Sequence, residues 1–302
     1  MIHFLQILAG GVLAGTPVAL LALGISLIYR TTGILNLSHG ALAALGAYIM
    51  YSASKVMPMV AAVALAIAVT AVVGALIGAG LAARLNRQAA VVSVVATLAI
   101  GVVIGQIIQQ IWGSIPVFFP NEIGLAPVNI GSVGLNRVDL WALCAAAALS
   151  VLLAAFLRLS RTGLSVRAVS DDVDGARLSG IQALRIRLLA WAIASGLAVI
   201  AGFFIASSAA GFLGPQTFDL YLVAALLAAV IGGVSSLTGT VAGAILLWTA
   251  QSVFQNYAPT FTVGTSFVVL GSYTNSFFFV ILIAVLLAAP SGLFGARRGR
   301  SI

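Results

Sequence analysis

Apolar residues fill nine long segments of this chain, and polar residues are concentrated between them. A helix of roughly 20 residues crosses a hydrocarbon layer about 30 Å thick, whereas membrane barrels need alternating strands of about ten residues, which this sequence lacks. The pattern therefore predicts an all-α, polytopic integral membrane protein with about eight to nine transmembrane helices. We expect these helices to form a single membrane domain over residues 1–302. The predicted spans are 4–29, 37–54, 58–83, 88–112, 139–157, 188–211, 219–233, 239–257 and 275–290.

Two of these spans, 219–233 and 239–257, are short for a bilayer. We therefore expect some of the helices to be broken or re-entrant, and the pair on either side of 234–238 is the best candidate.

The charge content agrees with a membrane protein. Only 7% of the residues are charged and 62% are hydrophobic, against roughly 25% charged residues in a soluble domain. The net charge of +8 raises the question of a nucleic-acid partner. However, the basic residues cluster in the polar connections, as membrane topology predicts, so we expect membrane lipid and no nucleic acid as a partner.

Nearly half of the charge is concentrated in one window, 158–187. Its nine charged residues are Arg158, Arg161, Arg167, Asp171, Asp172, Asp174, Arg177, Arg185 and Arg187. Ser170 can cap a helix whose first turn holds the acids, and Gly180 suits the position after its end. The window therefore predicts one short surface helix, although a solvated loop with no partner is the simpler alternative.

The distribution of basic residues predicts the orientation. If 158–187 is cytoplasmic, alternation of the spans places 12 basic residues inside and two, Lys55 and Arg137, outside. This asymmetry follows the positive-inside rule, so we expect an external N-terminus, a cytoplasmic C-terminus and an external loop at 113–138. The inside residues beyond the window are Arg30, Arg84, Arg87, Arg297, Arg298 and Arg300.

Three stretches carry a family resemblance. RTGLSVRAVSDDVDGARLSGI, 161–181, has Gly163, Arg167, Ala168, Ala176, Gly180 and Ile181 in register. GISLIYRTTGILNLSHGALAALGAY, 24–48, has Gly24, Leu27, Tyr29, Gly33, Asn36, His39, Gly40, Gly46, Ala47 and Tyr48. AVIGGVSSLTGTVAGA, 229–244, has Gly232, Gly233, Ser236, Gly239 and Gly243, with Ser235 in place of a glycine. In this order, over about 10–292, the chain resembles the permeases of branched-chain amino-acid ABC importers, the LivH/LivM type.

The resemblance implies a function for the charged window. In that family the loop, here 158–187, is a coupling loop that seats in a cleft of an ATP-hydrolysing subunit. The residues it assigns to ATPase coupling are Gly163, Arg167, Ala168, Asp171, Asp172, Asp174, Ala176, Arg177 and Gly180. It further implies a second permease chain, like or related, two ABC ATPase subunits, and a periplasmic or lipid-anchored substrate-binding protein. The bacterial inner membrane would be the location, and ATP and Mg would be bound by the partners, with no cofactor on this chain.

The resemblance also implies the cargo, which would be branched-chain amino acids, with urea or short amides as the cargo of relatives. Polar residues at a helix break and a glycine-rich segment are the candidates for the translocation path: Asn36, Ser38, His39, Gly232, Gly233 and Ser236. The alternative for Asn36 and His39 is that they only bind neighbouring backbone. Gln106, Gln109 and Gln110 lie close to Trp112, and we interpret them as headgroup-level residues, with pore lining as the alternative.

Catalysis by the chain itself is not expected. The only lysine, Lys55, stands in SASKVMP and not in a phosphate-binding loop, and His3 and His39 lie on different segments, which argues against a metal site. An ion-coupled carrier or a passive channel for a small polar solute is the alternative function. Carriers place acids within the membrane, whereas Asp219 is expected at the beginning of a span and no acid at mid-bilayer.

Overall fold

The structure is a computed structural model. It describes residues 2–85, 90–120, 122–124, 126–130, 133–208, 211–263, 266–289 and 292–294. Arg87 and the tail arginines 297, 298 and 300, which enter the charge count, lie outside these residues.

Helices account for most of the described chain. They are α1 (Ile2–Thr32), α2 (His39–Ala53), α3 (Met59–Leu85), α4 (Ala90–Trp112), α5 (Arg137–Leu159), α6 (Arg161–Asp171), α7 (Val173–Leu178), α8 (Ala183–Ser208), α9 (Thr217–Gly232), α10 (Leu237–Tyr257) and α11 (Thr274–Ala288), with a 3-10 turn at Leu270–Ser272. Short antiparallel pairs occupy the connections: β1 (Val117–Phe118) with β4 (Phe212–Leu213), β2 (Val128–Ile130) with β3 (Val133–Leu135), and β5 (Thr260–Val263) with β6 (Ser266–Val269).

Each predicted span coincides with one apolar helix, and the prediction of an all-α polytopic membrane protein is confirmed. Within the described residues six helices, α1, α3, α4, α5, α8 and α10, are long and apolar enough to cross a bilayer. The other three, α2, α9 and α11, have 15 or 16 residues. Helix α1 lies at the centre, packed against α5, α8, α9 and α10, and Val18 to Leu23 are all at most 2% exposed.

We name the two membrane faces by their contents. The hairpin side holds β1 to β4, and the loop side holds α6 and α7.

The connection from α1 to α2 re-enters the membrane. The chain turns at Gly33, whose φ is +71°, and α2 begins only at His39. Gly101 is the central residue of the apolar stretch Val91–Trp112 of α4, and a Cβ added there would lie 3.3 Å from the Ser38 Cα. Helix α2 therefore starts near the middle of the membrane and runs to the hairpin side, where the Tyr48 hydroxyl donates to the Leu213 carbonyl at 3.2 Å.

The connection from α8 to α9 re-enters from the opposite side. It turns at Gly211, whose φ is +78°, and α9 begins at Thr217. A Cβ at Gly40 in the first turn of α2 would lie 3.2 Å from the Phe218 carbonyl oxygen. Helix α9 therefore starts at the same depth as α2 and runs to the loop side.

These two connections belong to an internal repeat. Gly211 follows Gly33 by 178 positions, Thr217 follows His39 by 178, and Leu237, the start of α10, follows Met59, the start of α3, by 178. The two copies cross the membrane in opposite directions, as in the inverted repeats of transport proteins.

The two spans predicted to be broken or re-entrant are joined by a tight turn at 234–238. Of the pair, α9 is the re-entrant helix, and its chain re-enters before Thr217, whereas α10 is long enough to cross a bilayer. Gly233 has φ +91°, the Gly239 amide donates to the Ser236 side chain at 3.1 Å to cap α10, and Gly232 lies against the Gly239 backbone with no room for a Cβ. The short 219–233 span is a half-helix because its chain first descends to mid-membrane.

Candidate functional site

The charged window forms two helices, α6 and α7, instead of the single helix predicted. Ser160 begins α6 by accepting from the Gly163 amide at 2.8 Å. Ser170, the predicted cap, lies inside α6 and donates to the Val166 carbonyl at 2.7 Å, so that prediction is wrong. The cap belongs to Asp172, whose extended backbone lets its carboxylate accept from the Asp174 amide at 3.0 Å.

The end of α7 agrees with the prediction for Gly180. This glycine has φ +79°, and the Ile181 amide donates to the Ala176 carbonyl while the Gly180 amide donates to the Arg177 carbonyl, both at 3.0 Å. This double closure is a Schellman motif, which fixes the end of the charged window.

The predicted coupling residues divide between two faces. Gly163 and Ala176 are buried, and Gly163 lies against the Phe156 carbonyl, which leaves no room for a Cβ. These two residues hold the helices against the bundle. Arg167 and Ala168 are half-buried, and the exposed members are Asp171, Asp172, Asp174, Arg177 and Gly180.

The exposed face also carries two apolar residues that the sequence analysis missed. Leu164 is 59% exposed and Leu178 is 91% exposed. Leu178 directly follows Arg177, which bonds Asp174 at 3.1 Å in a solvent-exposed pair that contributes little stability. The sequence signal that could have identified Leu178 is its position in a charged helix, away from the face that is expected to be buried.

A cavity on the loop side brings this surface next to both halves of the repeat. We call it the loop cavity; its volume is about 460 Å³, and Arg30 and Gly33 of the first connection and Ser235 of the α9–α10 turn line it. Asp171 of α6 and Arg187 of α8 line it too. The loop cavity therefore places α6 beside the positions where the membrane helices are interrupted.

A second cavity, the central cavity, lies between α4 and the first turns of α2 and α9. Its volume is about 370 Å³, within the range of small-molecule sites. Its polar side chains are Gln106 and Gln109 from α4, and Gln216 and Asp219 from the start of α9. Gly40 and Gly101 are among the small residues of its wall.

Two expectations about polar residues concern this cavity. Asp219 lies in the first turn of a half-helix that begins at mid-membrane, so the expectation of no acid at that depth is wrong. Gln106 and Gln109 line the central cavity, which agrees with the alternative of pore lining, whereas Gln110 is not among its lining residues; the headgroup-level depth of all three stays a prediction. The sequence did not show the position of Asp219 because the depth of α9 depends on its contact with α2.

The predicted path residues of the first connection lie behind the cavity wall. Asn36, Ser38 and His39 are each 0% exposed, and none of them is among the lining residues. The Asn36 Oδ1 accepts from the Ser38 amide at 3.0 Å and from its hydroxyl at 2.6 Å. The His39 ring occupies the space that a side chain at Gly24 would need.

The other predicted path residues, Gly232, Gly233 and Ser236, lie at the α9–α10 turn and not in the central cavity. Ser26 of α1 holds this turn by donating to the Val234 carbonyl at 2.6 Å. A direct role of all six residues in the path stays a prediction.

A bundle of apolar helices in which two half-helices meet beside a cavity with a few polar side chains is typical of membrane transport proteins. Comparison with known families is more specific. The chain belongs to the family described as branched-chain amino acid transport system / permease component, whose profile matches residues 7–290. It is thus a multi-pass membrane permease component of an ABC-type transporter family.

Individual relatives cover nearly the whole chain. The high-affinity branched-chain amino acid transport system permease protein LivH of Escherichia coli strain K12 is 26% identical over 310 residues, covering 97% of this chain and 96% of its own. The corresponding protein BraD of Pseudomonas aeruginosa is 25% identical over 308 residues, with the same coverage of both chains. A solved structure of PsaBC from Streptococcus pneumoniae in complex with Fab aligns with a TM-score of 0.48 and 15% identity, over 96% of this chain and 93% of that one.

Proposed function

We propose that this chain is a membrane subunit of an ATP-driven importer for branched-chain amino acids or related small solutes such as urea or short amides. In this proposal the loop side is cytoplasmic and the membrane is the bacterial inner membrane. The N-terminus is external and the C-terminus cytoplasmic. The names of the LivH and BraD relatives support the cargo class.

The exposed surface of α6 and α7 is the observation that supports ATP hydrolysis on a partner subunit as the energy source. Leu178 is 91% exposed and lies beside the exposed acids and Arg177, and in this proposal these side chains together contact the cleft of an ATPase subunit. The inner face of this unit is buried, and both of its ends are capped. A push on the surface would therefore displace the unit as a whole instead of unwinding it.

The loop cavity connects this surface to the membrane helices. Asp171 lines it together with Arg30, the basic residue of the last turn of α1, and Gly33 beside it begins the re-entrant connection. Displacement of α6 by an ATPase subunit would reach the start of α2 along this route. ATP and Mg would be bound by two ABC ATPase subunits, with no cofactor on this chain.

The central cavity supports a second permease chain, either a homodimer or a heterodimer partner. Asp219 is solvent-exposed in the isolated chain at mid-membrane, where contact of a carboxylate with lipid is costly. A water-filled path between two permease chains removes that cost. A periplasmic or lipid-anchored binding protein would deliver the solute on the hairpin side.

Substitution of Leu178 tests the docking surface. We expect Leu178→Asp to abolish copurification of the ATPase subunits, or to uncouple hydrolysis from uptake, because it places a charge in the cleft contact. Val56→Asp is the matched control, since Val56 is 81% exposed but lies in the α2–α3 connection on the hairpin side. Unchanged copurification and uptake in the Leu178 variant would contradict the proposal.

An ion-coupled carrier is the second candidate, and the position of Asp219 favours it. Uptake into vesicles separates the two. The importer needs ATP and keeps working when ion gradients are collapsed, whereas a carrier stops when the gradients collapse.

A further inference from the structure

The charge on the described wall of the central cavity is negative. Among the described residues that line the cavity, Asp219 is the only charged one, and its polar companions are the side chains of three glutamines, Gln106, Gln109 and Gln216. None of the described lining residues is basic, so no basic side chain of this wall neutralises Asp219. The rest of the wall is small or apolar, with Leu98, Val102 and Leu222 as examples.

This composition selects for a particular solute. An unpaired carboxylate attracts a cationic group that enters the cavity. Glutamine amides donate to carboxylates and accept from ammonium groups, while apolar walls suit a short hydrocarbon side chain. Urea and neutral amides would leave the carboxylate without a counter-charge.

We propose that the central cavity is a solute subsite within the membrane for a zwitterionic, apolar α-amino acid. The ammonium group binds the Asp219 carboxylate, Gln106 and Gln109 donate to the solute carboxylate, and the side chain lies against the leucines and valine. This inference rests on the proposed function and narrows its cargo. It places a selective contact in the permease in addition to the one in a binding protein.

Asp219 also has a structural explanation, since an acid in the first turn of α9 interacts favourably with the helix dipole. A helix-start role and a solute-binding role of Asp219 are distinguished by the quantities that a substitution changes. Loss of a helix-start interaction lowers the yield of the complex and reduces ATP hydrolysis and uptake together. Loss of a solute contact lowers the leucine carried for each ATP hydrolysed.

The test uses the complete complex in proteoliposomes with leucine-loaded binding protein, and it measures leucine uptake and stimulated ATP hydrolysis in parallel. We expect Asp219→Asn to lower uptake about tenfold, as for a lost charged contact of the order of 1.4 kcal/mol, with hydrolysis within about twofold of wild type. Asp219→Glu should retain part of the uptake. On α4, Gln109→Leu should lower uptake several-fold, while the neighbouring Gln110→Leu should leave it unchanged.

The outcomes separate the two proposals. If the wild-type complex shows no ATP-driven leucine uptake, the proposed function fails and the subsite with it. If the wild type is active and Asp219→Asn matches it, the subsite alone is overturned. A parallel loss of yield, hydrolysis and uptake assigns Asp219 to helix stability, and equal effects of Gln109→Leu and Gln110→Leu also overturn the subsite.

Discussion

The connections α1–α2 and α8–α9 share one backbone design. Each has a left-handed glycine, Gly33 or Gly211, followed by five residues that lead to a half-helix starting at mid-membrane. Their surroundings differ. The first has Ser38 before its half-helix, buried at 0% exposure, whereas the second has Gln216 at the equivalent position, exposed in the central cavity.

The difference shows how one architecture serves two purposes. The first connection turns its polar groups toward one another and toward α4, where the Thr97 hydroxyl accepts from the Leu37 amide at 3.1 Å. The second turns its polar side chains toward the space that a solute would occupy. The first connection is therefore the buried half of the repeat, and the second is the half that would contact the solute under our proposal.

The largest difference in stability is expected between substitutions at Ser38 and Gln216, the two equivalent positions before the half-helices. Ser38→Leu forces a larger side chain against Gly101 and removes the bond to Asn36, so we expect a stability loss of about 3 kcal/mol. Gln216→Leu should change stability by less than about 0.5 kcal/mol and lower leucine uptake. Thermal unfolding in detergent and uptake in vesicles measure the two. Similar stability losses at both positions would contradict the contrast.

A smaller effect is expected where α1 meets the first half-helix. A Cβ at Gly24 would collide with the His39 ring, which is fully buried, so Gly24→Ala should lower stability by about 1–2 kcal/mol. Gly10 on the same helix has open space around it, and Gly10→Ala should be neutral or stabilising by up to about 1 kcal/mol. The midpoint of thermal unfolding of each variant measures this difference, and equal midpoints would show that α2 does not pack on α1 as described.

The smallest of the three effects concerns Thr97. Thr97→Val removes the hydroxyl that accepts from the Leu37 amide at 3.1 Å and has two carbonyl acceptors in reach of its proton, Val94 at 2.9 Å and Leu35 at 3.2 Å, which should cost about 1 kcal/mol. Thr97→Ser keeps the hydroxyl and is the control. We expect the valine variant to unfold at a lower denaturant concentration than the serine variant; the reverse order would show that the first connection is held by packing alone.

Much of the fold was predictable because hydropathy reports burial in lipid directly. All nine spans were located, and Gly33 was recognised as a break because polar residues follow it within an apolar region. The break after Gly211 was missed because FLGPQTFD has the composition of an ordinary loop. Its depth is set by the contact of Phe218 with Gly40, which is remote in sequence.

The candidate site was predictable only where local chemistry decided it. Gly180 was correctly placed because a left-handed glycine after a helix is a local signal. The predicted cap Ser170 was wrong because that residue lies inside α6, where its hydroxyl donates to the Val166 carbonyl, and the extended backbone of Asp172 makes Asp172 the cap of α7 instead. Leu178 and Asp219 were not predicted as site residues because they are candidates only by the exposure of their side chains, and that exposure depends on how the helices pack.

Thiol accessibility at the two equivalent positions tests the central claim most directly. Single cysteines at 38 and 216, introduced as Ser38→Cys and Gln216→Cys with Cys144→Ala, are treated with a charged, membrane-impermeant thiol reagent applied to the hairpin side. The account predicts rapid modification of Gln216→Cys, blocked by excess leucine and loaded binding protein, and no modification of Ser38→Cys before unfolding. Equal reactivity at both positions, or protection of both, would contradict the assignment of one sealed and one solute-facing connection.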